Sequence, residues 1–127
     1  MQAFFTLAKS NLGAKCILKD PAGKVTEHWL TVLGVDSDAF RVASLASRRA
    51  LAAWFEEHGD SPEVRKSVAF AEFTDLQQRT MRASLVTAWS FDQELTMANV
   101  VELFKQAPDL AAQADAFASK REQFAGA

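Results

Sequence analysis

Ala14-Lys15-Cys16-Ile17-Leu18-Lys19, Asp20-Pro21-Ala22-Gly23 and Val25-Thr26-Glu27-His28-Trp29-Leu30-Thr31-Val32-Leu33 follow one another, and then come Gly34 and Asp36-Ser37-Asp38. Two apolar, β-branched runs flank a stretch with Pro at its second and Gly at its fourth position, the pattern of a type I turn. The stretch predicts a β-hairpin over about residues 14–33. A lone hairpin is marginal in water, so its apolar face must lie against helices or another chain. Gly34 breaks the second strand, and Asp36-Ser37-Asp38 supplies a helix cap and negative charge for a helix start.

Outward from the hairpin toward the C-terminus, the pattern is helical. A first long helix is expected over about 37–58, with Phe40, Ala43, Ser47, Ala50, Leu51, Trp54 and His58 on its inner face, and Gly59-Asp60 to stop it. Ser61-Pro62-Glu63 opens a second, expected to run over about 62–88. That helix carries more apolar residues than one stripe requires. Phe70, Phe73, Met81, Leu85 and Ala88 spread around the line of Val64, Val68, Ala71 and Leu76, as in a helix sandwiched between neighbours or used for association.

Two short helices close the chain, over about 97–106 and 108–124. Thr96 caps the first, and Pro108 suits the first turn of the second while discouraging a helical Ala107. Leu110, Ala114, Phe117, Arg121 and Phe124 then fall on one helical stripe. Each of these helices is short and holds few apolar residues, so this arm is expected to serve partner binding more than the fold. Toward the N-terminus, Phe4, Phe5 and Leu7 form a cluster too short to assign. The expectation is one mainly α domain, residues 1–127, with one N-terminal β-hairpin.

Composition narrows the function classes. Fourteen basic and sixteen acidic residues are well mixed, without the basic excess or stripe of a nucleic-acid surface. No apolar run approaches the roughly 20 residues that span a bilayer. The single cysteine, Cys16, excludes an internal disulfide and reads as a buried, reduced cytoplasmic thiol. His28 and His58 sit in different elements with no ligand at metal spacing, and the glycines form no phosphate-cradling cluster. Neither a catalytic constellation, a metal, a cofactor nor a small-molecule substrate is expected. Ten Phe and three Trp with no Tyr make the chain rich in aromatic rings suited to packing or to gripping a partner.

The C-terminal pattern resembles the tail assembly chaperones of long, non-contractile-tailed bacteriophages. The likeness rests on Trp89-x-Phe91, Thr96-x-x-Asn99-Val100 leading to Leu103-Phe104, Ala107-Pro108-x-Leu110, and the spaced Phe117 and Phe124. A second patch runs from Trp29 through Gly34 and Asp36 to Phe40, and together they touch about half the chain. The resemblance implies a protein of the host cytoplasm that binds the helical tape measure protein, recruits tail tube subunits, and is absent from the mature virion. Trp89, Phe91, Leu103, Phe104, Leu110, Phe117 and Phe124, with Phe70 and Phe73 of the second helix, are the candidate protein-binding residues. Self-association is expected from the surplus apolar surface and the hairpin edge. The rival readings are a virion structural or adaptor protein, such as a head–tail connector component, and a nucleic-acid-binding regulator.

Overall fold

The computed structural model describes residues 1–126. It is mostly helical with a small three-stranded antiparallel sheet, and the N-terminal hairpin lies where the turn chemistry puts it. Strands β1 (Ala14–Lys19) and β2 (Val25–Val32) pair with Cys16 opposite Leu30 and Ala14 opposite Val32. At the turn, Gly23 N–H donates to the Asp20 carbonyl at 2.8 Å, and Gly23 holds φ +85°. The Asp20 carboxylate accepts from the Ala22 and Lys24 amides and pins the loop from inside.

A third strand departs from expectation. The helix expected over 62–88 is three elements: a single turn α3 (Pro62–Arg65), α4 (Val68–Ala83) and β3 (Val86–Trp89). Ser67 causes the first break. Its hydroxyl donates to the Val64 carbonyl and accepts from the Phe70 amide, ending one helix and capping the next. The second break reflects tertiary pairing. Val86, Thr87 and Ala88 join β2, with Val86 opposite Val32 and Ala88 opposite Thr31, so the sheet runs β1-β2-β3.

Helix α2 (Asp38–His58) starts on the Ser37 hydroxyl, which accepts from the Phe40 amide, and ends at Gly59. It packs antiparallel on α4, with Ser44 near Met81 at one end and Trp54 near Phe70 and Phe73 at the other. Although α2 is about 30 Å long, none of its side chains is buried. The inner face expected for Phe40 to His58 is therefore only half-covered, with His58 itself exposed, because α1 and the core reach only the first turn of α2 and α4 alone runs beside the rest.

The core lies elsewhere. Helices α5 (Met97–Gln106) and α6 (Pro108–Ala118) start on Thr96 and Pro108 as their caps require. They complete a core that joins Leu18, Leu30 and Val32 of the sheet to Val100, Phe104, Ala111, Ala114 and Ala118. The C-terminal helix stops at Ala118, short of the expected 124, and a separate 3₁₀ turn (Arg121–Phe124) folds Phe124 under the structure at 1% exposure. The terminal segment, expected to serve partner binding more than the fold, thus contributes Val100, Phe104, Ala111, Ala114 and Ala118 to the core.

Residues 1–12 form a 3₁₀ turn and a short helix, α1 (Leu7–Leu12), next to the chain's other end. Gly34 lets these segments meet: its amide donates to the Ser10 carbonyl at 3.1 Å, and a Cβ there would stand 2.9 Å from Ser10 Cβ and 3.1 Å from Phe124 Cδ2. Asp36 ties both ends together. It accepts from the Thr6 hydroxyl at 2.7 Å and from the Arg121 guanidinium at 2.8 and 3.0 Å. Arg121, then Thr6, hold its carboxyl below the usual carboxylate range.

Candidate functional site

The candidate residues fall into three places. Phe70 and Phe73 join Trp54 and Phe55 at the far end of the α2–α4 hairpin. Trp54 stacks on Phe73 at 5.6 Å and on His58 at 4.1 Å, and Phe55 stacks on Phe70 at 5.5 Å. The Arg65 guanidinium lies over Phe55 at 4.8 Å. These half-buried rings close the hairpin tip on itself, and their first partners are one another.

Trp89 and Phe91 stand where β3 leaves the sheet. Phe91 stacks on His28 at 4.7 Å and receives the Trp89 ring edge-on at 5.5 Å. The Trp89 indole N–H donates to the Gln93 carbonyl at 2.8 Å, which fixes the loop that follows. Ser90 anchors the group to β2, its hydroxyl accepting from the Trp29 amide at 2.9 Å and sitting 3.1 Å from His28 Nδ1. Beside this cluster opens a pocket of about 350 Å³ between the β1–β2 turn and the α5–α6 corner, walled by Leu18, Pro21, His28, Phe91, Pro108 and Leu110. Fold and chain order therefore bring Phe91 and Leu110, nearly twenty residues apart, to one mouth. Pro21, His28 and Pro108 were not candidates from sequence. Both prolines were legible as breaks, but nothing local said that the two breaks face each other.

The remaining candidates belong to the core. Phe104 and Phe124 are 2% and 1% exposed, so neither can touch a partner unless the fold opens. Leu103 and Phe117 are partly buried against the same cluster, and Phe117 meets Phe124 edge-on at 6.0 Å. An apolar stripe on a short helix reads alike whether it faces the core or a client, and here it faces the core.

Exposed apolar side chains gather in two other places, the N-terminal segment, with Phe4, Phe5, Leu7 and Leu12, and the helical hairpin. A groove of about 650 Å³ runs between α2 and α4, lined by Ala39, Val42, Ala43, Ala46 and Ala50 on one side and by Gln77, Thr80 and Met81 on the other. Val42 is 66% exposed, and Leu45, Val68 and Leu76 are also exposed. The edge of β1 is capped at its last residue. The Gln113 side-chain amide accepts from the Lys19 amide at 2.8 Å and donates to the Lys19 carbonyl at 2.7 Å.

Cys16 is buried, and burial pushes its thiol up, which keeps it protonated. Among the described residues, no three His, Cys, Asp or Glu side chains converge as a metal centre requires, and no helix is long and apolar enough to cross a membrane. Comparison with known proteins finds no matching family model, no similar curated protein and no similar solved structure.

Proposed function

We propose that the protein is a phage tail assembly chaperone, a binder rather than a catalyst. In this reading it holds the helical tape measure protein in solution in the host cytoplasm, recruits tail tube subunits, and leaves before the virion is complete. The order of residues from Trp89 to Phe124 supports the family. The single observation that carries the binding reading is the pocket at Phe91 and Leu110, where Leu18, Pro21, Ala107 and Pro108 add apolar wall and Lys19, Asp20, Gln106 and Asp109 supply polar lining. Its size suits one or two anchor side chains of an amphipathic helix, the way such helices are gripped in grooves. Sequestering the client's apolar face lowers the free concentration available to aggregate, by mass action alone.

The test is co-expression pull-down of a tape measure fragment. Gln106 is exposed at the pocket rim, so Gln106→Trp fills the mouth without removing a core side chain. Capture is expected to fall at least about tenfold, equivalent to about 1.4 kcal/mol, with circular dichroism unchanged. Phe91→Ser should act in the same direction. Undiminished capture by folded Gln106→Trp removes the pocket from the reading. Mass spectrometry of purified virions addresses the role: a chaperone is absent, whereas a structural adaptor is retained.

A further inference from the structure

The α2–α4 hairpin leaves the core with an open apolar groove and no side chain of α2 buried, a face that a folded chain seldom leaves in water. Its charges have a direction. Near the base, residues 38–49 and 77–83 carry five arginines and one aspartate; toward the tip, residues 50–76 carry six carboxylates and two cations. Pairs within the chain use only part of this. Asp38 holds Arg41 at 2.6 Å, Asp60 holds Arg65 at 2.7 Å, and Asp115 of α6 meets Arg82 at 3.4 Å. What remains is Arg48, Arg49 and Arg79 near the base, and Glu56, Glu57, Glu63, Glu72 and Asp75 with Lys66 toward the tip.

We propose that the occupant of this groove is a second copy of the same chain, the two hairpins packed antiparallel about a two-fold axis into a four-helix bundle. A two-fold crossing the hairpins near mid-length lays each acidic tip along the other's basic base. The alternative two-fold, parallel to the helices, sets base on base and tip on tip, and like charges oppose it. Alanines along the α2 wall allow close approach, and Val42, with Leu76 one turn before Thr80, supplies apolar knobs. The interface is isologous and closes at two subunits. It is separate from the pocket at Phe91, so the pairing stands whatever client the protein serves.

The experiment is sedimentation velocity on the full chain over a hundredfold concentration range. A monomer–dimer equilibrium is expected, weakening as salt rises because exposed charges are screened. Val42→Glu with Ala46→Glu, both at exposed positions of α2, should weaken the dimer at least about tenfold while circular dichroism and melting stay unchanged. Orientation is read by cysteine cross-linking. Val42 and Ala53 lie on one edge of α2 about three turns apart, so Val42→Cys with Ala53→Cys should yield a disulfide-linked dimer and Val42→Cys alone should not. A monomer at every concentration, open-ended assembly, a dimer indifferent to the groove carboxylates, or efficient linkage through Val42→Cys alone would each overturn the proposal.

Discussion

Helix α2, at 21 residues the longest in the chain, buries none of its side chains; α6, at 11 residues, buries Ala111, Ala114 and Ala118. The difference follows from what surrounds each. α6 lies over β1 and β2 with α4 and α5 at its flanks, so even a methyl group is enclosed. Beyond its first turn, which meets α1 and the core, α2 has α4 along one side and solvent along the other, so Trp54 reaches only partial cover. Length and hydrophobic periodicity show how much apolar surface an element offers, but the number of layers around it determines how much is used. The molecule thus has a compact half, the sheet with α5, α6 and the terminal turn, and a projecting half, the α2–α4 hairpin.

That contrast breaks most sharply on the two aromatics that typify it. Phe104→Ala removes a ring that is 2% exposed at the centre of the compact half, and should cost about 3–5 kcal/mol in urea unfolding through transfer loss and cavity formation. Trp54→Ala in the projecting half should cost less, about 1–2 kcal/mol, because its ring is only half out of water. Hydrogen exchange on that variant should rise across α2 and α4 while the amides of β2 stay protected. Equal costs for the two substitutions would erase the division into halves.

A smaller effect sharpens the boundary. Asp36 belongs to the compact half and joins its N-terminal segment to Arg121. Because its folded carboxyl lies below the usual range, its contribution is present above the unfolded value of about 3.9 and is lost as pH falls through the folded value. The Arg121 side chain is 64% exposed, so solvent screens the pair and Asp36→Asn should cost about 1 kcal/mol or less near neutrality. The acid limb of the stability–pH curve should become shallower in that variant. An unchanged limb would place the acid sensitivity elsewhere, with Asp60 the next carboxylate held low, by Arg65 in the projecting half.

Much of this architecture was legible because its signals are local. Ser37, Ser61 and Thr96 cap helices through their own hydroxyls, Pro108 opens α6, and Asp20-Pro21-Ala22-Gly23 turns the hairpin, each within a few residues of its effect. What escaped depends on distant partners. Val86 to Trp89 becomes a strand because β2 has an unpaired side, a fact written nowhere near residue 86. The break at Ser67 escaped too, because the flanking apolar pattern carries the helix expectation through it. The site was legible in part: Phe91 and Leu110 share a pocket, whereas Phe104 and Phe124 are consumed by the core. Faces of helices can be read from spacing, but not what those faces meet.

The Gln113 amide on the edge of β1 has a consequence for what happens when the fold loosens. A sheet rim with an unsatisfied donor and acceptor is a template, and a strand from any passing chain can extend it one layer at a time. By engaging both groups of Lys19, one helix side chain imitates the missing neighbour and ends the ladder there. It holds that position from α6, whose own placement depends on the compact half being intact. Partial unfolding that lifts α6 would therefore free both groups of Lys19 at the same moment as the alanine face that packs over the sheet.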